Sequence, residues 1–108
     1  MTDFVRVAEI TEIPPGAGKA VEAGGRQIAL FNVDGEFYAI DGVCAHKGGP
    51  LGDGDLEERI VTCPWHGWQY DVTTGANVVN PEIVQRAFEV RVVGRDILVA
   101  PSPREIEV

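Results

Sequence analysis

Four side chains in the middle of the chain combine two thiols with two imidazoles at close spacing. One motif is Cys44-Ala45-His46 and the other is Cys63-Pro64-Trp65-His66, and together they use both cysteines and both histidines of the 108-residue sequence. Thiolate sulfur and imidazole nitrogen are common ligands of zinc and of iron–sulfur clusters. The spacing therefore predicts a metal centre whose ligands are Cys44, His46, Cys63 and His66.

The distribution of ligand types between the two motifs bears on which metal they hold. Common zinc spacings place two cysteines in one turn and two histidines in another, whereas each motif here contains one cysteine and one histidine. Mixed motifs suit a two-iron cluster, because each motif can then give one ligand to each iron. A structural zinc site is an alternative at this stage, and two unliganded buried thiols are another.

The segment from Cys44 to Gly75 resembles the Rieske family, in which two cysteines hold one iron of a [2Fe–2S] cluster and two histidines hold the other. By this resemblance, Cys44 and Cys63 hold the first iron. His46 and His66 hold the second iron. The resemblance implies one [2Fe–2S] cluster per chain.

Three positions in or just after the motifs differ from the high-potential respiratory members of that family. Those members carry an extra cysteine in each loop, and the matching positions here are Gly49 and Trp65. They also carry a serine that bonds a sulfide, where this sequence has Trp68. Tyr70 matches a family tyrosine that donates to a cysteine sulfur. The resemblance therefore implies a potential at the low end of the Rieske range, with one side-chain hydrogen bond kept.

Short β-branched runs separated by the 13 glycines and 7 prolines predict an all-β fold around this centre. Asp34-Gly35 between two apolar runs predicts a tight hairpin, because both central positions of a type I′ turn need positive φ. Gly94-Arg95 predicts a second hairpin. The predicted strands are residues 4–8, 19–23, 26–33, 36–40, 59–62, 69–72, 88–93 and 97–100.

The resemblance gives these strands an arrangement. It implies an antiparallel β sandwich of the Rieske type with an inserted cluster-binding subdomain at about residues 42–72. At this length the chain is predicted to be a single domain, residues 1–108. The two ligand loops of the subdomain would be residues 43–51 and 63–70.

Charge and hydropathy narrow the class of partner and the compartment. Seventeen acidic residues against nine basic ones give a net charge of −8, which disfavours nucleic acid, since binding it needs a basic patch. A membrane span needs about eighteen consecutive apolar residues, and no apolar run in the sequence approaches that length. Residues 1–10 lack the apolar stretch of a secretion signal. We therefore predict a cytoplasmic monomer that binds neither nucleic acid nor membrane.

The predicted activity is one-electron transfer without catalysis. Two thiolates neutralise the core of the oxidised cluster and imidazoles add no charge, so the site accepts an electron more readily than an all-cysteine site. A mononuclear iron oxygenase site would need further histidines, and both histidines are already used. The sequence also lacks the Gly-x-Gly-x-x-Gly fingerprint of nicotinamide and flavin sites.

The resemblance implies a soluble ferredoxin with redox proteins as partners. It would pass electrons from a flavin-dependent reductase to a terminal oxygenase, such as an aromatic-ring-hydroxylating dioxygenase. One alternative is the small subunit of an NADH-dependent nitrite reductase, which the Cys44–Leu51 run also resembles. An alternative of another class is a zinc-stabilised binding module.

Overall fold

The computed structural model describes residues 4–44, 48–65 and 67–103. Within them the chain is built of strands joined by turns and two short 3₁₀ helices, Ile10–Glu12 and Leu51–Asp53. The strands are β1 (Val5–Glu9), β2 (Gly18–Ala23), β3 (Arg26–Val33), β4 (Glu36–Asp41), β5 (Asp55–Glu57), β6 (Ile60–Thr62), β7 (Gln69–Asp71), β8 (Ala87–Val93) and β9 (Asp96–Pro103). The prediction of an all-β fold is confirmed.

The strands form two antiparallel sheets. The larger has six strands in the order β1-β9-β8-β4-β3-β2, and the smaller has three in the order β5-β6-β7. The edge strands β1 and β2 also contact each other, so the large sheet curls around its own interior. The small sheet is inserted between β4 and β8, where the sequence predicts the cluster-binding subdomain. No helix in the described part of the chain is long and apolar enough to cross a membrane.

Strand β3 is buried on both faces and separates two apolar cores. Ile28 and Leu30 face the first core, which is formed with residues of β4, β8 and β9. Ala29 and Phe31 face the second core, which contains Tyr70 of the small sheet. A strand that is covered on both faces has no side chains facing solvent, so its sequence need not alternate between apolar and polar residues. Burial on both faces explains the continuous apolar run of β3. The second core also fixes the small sheet against the large one.

Both predicted hairpins are confirmed. Asp34 and Gly35 have φ angles of 52° and 95°, as the tight turn between β3 and β4 requires. Gly94 lies in the turn between β8 and β9, where Val93 pairs with Asp96.

Among the strands in the described part of the chain, β5 is the one that the sequence did not predict. Its residues are Asp55, Leu56 and Glu57, and acidic residues are depleted in strands. It forms because a turn through Glu58, with φ of 56°, returns the chain so that Leu56 pairs with Val61 of β6. Pairing with a neighbouring strand here outweighs the local preference of the residues.

Candidate metal centre

The two cysteines lie at the ends of strands, in loops that face each other. Cys44 follows β4 at the start of loop 1 (residues 43–50), and Cys63 follows β6 in loop 2 (residues 62–69). Their exposed fractions are only 2% and 3%, and neither forms a disulfide. The structure therefore brings two buried free thiols to one end of the small sheet.

Backbone hydrogen bonds close loop 1 around Cys44. The Cys44 N–H donates to the Gly49 carbonyl at 2.9 Å, and the Gly48 N–H donates back to the Cys44 carbonyl at 2.8 Å. Val43 and Pro50 form a bridge at the base of the loop. Gly48 adopts φ of 77°, a left-handed conformation that side chains disfavour.

Loop 2 repeats this geometry around Cys63. The Cys63 N–H donates to the Trp68 carbonyl at 2.7 Å, and the Gly67 N–H donates back to the Cys63 carbonyl at 3.2 Å. Thr62 and Gln69 pair at its base, and Gly67 adopts φ of 76°. The two loops thus have the same pattern of backbone hydrogen bonds around their cysteines. The sequence did not predict this match, because the side chains of the two loops differ.

The two loops approach each other closely at Gly49. A Cβ atom built on Gly49 would lie 2.6 Å from Cys63 Sγ and 3.1 Å from Cβ and Cγ of Trp65. Positions 49 and 65 are those that the sequence comparison matched to the extra cysteines of respiratory Rieske proteins, and here they are adjacent. A glycine is needed at 49 because the neighbouring sulfur and indole occupy the space of a side chain.

Polar groups of the chain act on both sulfurs. The hydroxyl of Tyr70, which is fully buried, lies 3.4 Å from Cys44 Sγ, so the predicted contact of this tyrosine with a cysteine sulfur is confirmed. The backbone N–H of Trp65 acts on the other sulfur, because it lowers the pKa of Cys63. Donors to a thiolate stabilise its negative charge and are among the determinants of an iron–sulfur potential.

Burial makes the thiolate form of Cys63 unfavourable. Burial raises the pKa of Cys63, and the neighbouring Cys44 raises it further, while the Trp65 N–H partly lowers it. Two adjacent buried thiolates are stable only beside a positive ion. The donor set and its surroundings therefore fit a metal centre.

His46 and His66 lie outside the described residues. His46 falls in the segment 45–47 between Cys44 and Gly48, and His66 falls between Trp65 and Gly67. Their assignment as ligands of the second iron stays a prediction.

Two buried amides beside the loops were missed by the sequence analysis. Gln85 Nε2 donates to the carbonyls of Val43 at 2.6 Å and Asp41 at 3.2 Å. Asn77 Oδ1 accepts from the N–H groups of Val79 and Asn80. Both belong to a third segment (residues 75–86) that lies next to loops 1 and 2. Nothing in the residue types or spacing of this segment marks these amides, because their partners are set by the fold.

Comparison with known proteins decides which kind of metal centre this is. Residues 3–93 match the Rieske [2Fe-2S] domain family. The chain belongs to this family. The Rieske cofactor is a [2Fe–2S] cluster, so the prediction of that cofactor is confirmed and the zinc alternative is set aside. Of the described residues, Cys44 and Cys63 are the ones that would hold it.

Individual relatives are carriers of electrons. The ferredoxin component of the naphthalene 1,2-dioxygenase/salicylate 5-hydroxylase systems of Ralstonia sp is 38% identical over 79 residues, which are 73% of this chain and 76% of that protein. The biphenyl dioxygenase ferredoxin subunit of Pseudomonas sp. (strain KKS102) is 34% identical over 99 residues, covering 89% of this chain and 90% of that protein.

A solved structure agrees with the fold of this Rieske chain. A chain from the complex of reduced oxygenase and oxidized ferredoxin in carbazole 1,9a-dioxygenase superposes on this protein with a TM-score of 0.88. The two sequences are 27% identical, and the superposition covers 98% of this chain and 100% of the other. The predicted Rieske-type sandwich is confirmed. The cluster supplies reversible one-electron transfer, and the chain is an electron carrier rather than an enzyme, as predicted.

We expect Tyr70→Phe to lower the reduction potential of the cluster while leaving it assembled. The hydroxyl beside Cys44 Sγ stabilises the added negative charge of the reduced state. A hydrogen bond to a charged group is worth roughly 1.5–3 kcal/mol, and about 59 mV corresponds to a tenfold change for one electron, so the fall has a ceiling of about 60–130 mV.

Protein-film voltammetry of the intact variant measures this shift. Tyr38→Phe is the matched control, because the Tyr38 hydroxyl bonds Glu36 at 2.6 Å and not a sulfur. An unchanged potential in Tyr70→Phe would show that the hydroxyl does not act on the cluster.

Proposed function

We propose that the chain is the ferredoxin component of a multicomponent oxygenase system. It receives single electrons from a flavin-dependent reductase and delivers them to a terminal oxygenase, such as an aromatic-ring-hydroxylating dioxygenase. The observation that carries this proposal is the likeness, over most of both chains, to ferredoxin components of dioxygenase systems. The proposal takes residues 1–108 as a single cytoplasmic domain that works as a monomer.

An apolar rim around the ligand loops supports a docking role. Five of the seven large apolar side chains that are exposed among the described residues lie in loop 1, loop 2 or the third segment, namely Val43, Trp65, Val78, Val79 and Val84. Val79 is 89% exposed. Apolar and aromatic side chains are typical of the centre of protein interfaces, so a partner that buries this rim would come close to the cluster loops.

Exposed carboxylates on and beside β5 give the small sheet a negative potential. Asp53, Asp55, Glu57 and Glu58 are all exposed in or beside β5. Negative clusters steer the encounter with basic surfaces and raise the association rate. The proposed partners therefore present basic residues around their docking sites.

We expect the rate of electron delivery to a terminal oxygenase to fall as salt rises. The Debye length shrinks from about 10 Å at 0.1 M to about 3 Å at 1 M, which weakens the steering. Asp55→Asn combined with Glu57→Gln should lower the rate at low salt and flatten its salt dependence. Glu22→Gln is the control, because Glu22 is exposed on β2 of the large sheet.

The function itself is tested by transfer between purified components. The protein is reduced with NADH and a flavin-dependent ferredoxin reductase, and then mixed by stopped flow with the oxidised terminal oxygenase of a naphthalene 1,2-dioxygenase. We expect one-electron reduction of the oxygenase at a rate proportional to its concentration. Two transfer results are unfavourable, namely no reduction of the oxygenase and a transfer rate that does not depend on salt. The proposal is wrong if either is found and gel filtration shows a permanent complex of the protein with an NADH-dependent nitrite reductase core.

A further inference from the structure

The third segment is attached by its backbone to the sheet that carries loop 2. The Val78 N–H donates to the Gln69 carbonyl at 2.9 Å, and the Asp71 N–H donates to the Ala76 carbonyl at 2.9 Å. Asn77 forms a bridge with Tyr70, whose hydroxyl contacts Cys44 Sγ. The third segment is therefore a firm extension of β7 on the loop 2 side of the centre.

Gln85 reaches from this segment to the start of loop 1. Its side chain is 4% exposed, and its amide donates to the carbonyls of Asp41 and Val43 on either side of Gly42. Val43 immediately precedes Cys44. An amide that bonds two carbonyls of one short stretch holds the direction in which the chain leaves β4.

The backbone of Gln85 is itself tightly held. Its N–H donates to the Gly75 carbonyl at 2.7 Å, and a Cβ atom on Gly75 would lie 2.1 Å from the Gln85 carbonyl oxygen. This close approach leaves the Gln85 backbone little room to move. The buried amide is consequently a rigid connection between the loop 2 side and loop 1.

We propose that Gln85 is a positioning residue that sets the reduction potential of the cluster by holding Cys44 against Tyr70. Cys44 belongs to loop 1 and Tyr70 to β7, so their contact depends on how these two parts of the chain are joined. The Gln85 amide joins them beside that contact. The inference concerns the cluster and its protein ligands, and it holds whichever redox partners the carrier serves.

A double-mutant cycle on the purified holoprotein tests the proposal. Gln85→Met keeps the length and volume of the side chain and removes both N–H donors. We expect it to lower the potential in the native background and to have no further effect in the Tyr70→Phe background, because the two changes act through the same hydrogen bond. Gln27→Met is the control, since Gln27 is exposed on β3 and its loss should leave the potential unchanged.

Hydrogen exchange followed by mass spectrometry gives a second readout that does not depend on electron transfer. Peptides covering loop 1 should exchange roughly two- to tenfold faster in Gln85→Met, the factor expected for losing one net hydrogen bond, while peptides covering loop 2 keep their protection. If Gln85→Met does not retain its cluster, Gln85→Asn takes its place, because it keeps the amide but shortens its reach. Its reduction potential is measured in the native and Tyr70→Phe backgrounds, with the same expected results.

Two results would overturn the positioning role. One is an unchanged potential in a Gln85→Met protein that retains its cluster, whatever the protection of loop 1. The other is a shift of equal size in the native and Tyr70→Phe backgrounds, which would mean that Gln85 acts on the cluster by another route. Failure of the oxygenase assay would contradict the proposed function and leave this cycle unaffected.

Discussion

His46→Ala and His66→Ala are each expected to abolish assembly of the cluster. The native protein should contain two irons and two acid-labile sulfides per chain and be red-brown. Each iron of the cluster needs four ligands, and the chain contains only two histidines, so no other imidazole can replace the one removed. Iron and sulfide analysis of freshly purified protein, together with its visible spectrum, measures the loss.

The control for these variants is Trp65→Ala. Trp65 precedes His66 and is 50% exposed, so its truncation changes loop 2 without removing a ligand, and the cluster should persist. Full occupancy with a native spectrum in either histidine variant would show that the altered histidine is not a ligand. The sequence prediction would then have to be revised at that position.

Gly49→Ala is expected to cause the second large loss of cluster. The added methyl would lie 2.6 Å from Cys63 Sγ and 3.1 Å from two atoms of Trp65. Since the sulfur is held by its own loop, relief requires the two loops to separate, and the cysteines then lose the spacing that a shared cluster requires. We expect iron content to fall sharply under conditions that load the native protein.

Gly25→Ala separates this effect from general destabilisation. Gly25 has φ of 77°, and no atom lies within 4 Å of the Cβ position built on it. The variant should lose about 1–2 kcal/mol of folding free energy, because the left-handed conformation disfavours side chains, and yet bind its cluster in full. Native occupancy in Gly49→Ala would mean that the loops are further apart than the structure indicates.

The contact between Gly49 and Trp65 also bears on how this carrier differs from respiratory Rieske proteins. By the family resemblance, these two positions match the extra cysteine that respiratory members carry in each loop. The structure places positions 49 and 65 in contact. The Trp65 indole lies next to the space that a disulfide between cysteines at these positions would occupy. Here loop 1 packs against loop 2 at Gly49 and Trp65, and the Gln85 amide holds the start of loop 1 to the third segment, with no covalent link between the two loops.

The sequence by itself determined the chemistry of the centre and much of the local structure. Two thiols and two imidazoles in mixed motifs pointed to a two-iron cluster because ligand type and spacing are local properties. Asp34-Gly35 specified its hairpin for the same reason, since positive φ is a requirement of the turn itself. Of the predicted ligands, Cys44 and Cys63 are found buried in facing loops, whereas His46 and His66 stay predictions.

Only the tertiary structure decided how the centre is held. The close approach of Gly49 to loop 2 and the bonds of the Gln85 amide join residues far apart in the chain, and no local pattern encodes such contacts. Strand β5 depends on its neighbour in another way, because its acidic residues form a strand only through pairing with β6. Ligand identity follows from side-chain chemistry, whereas ligand position follows from long-range packing and hydrogen bonds.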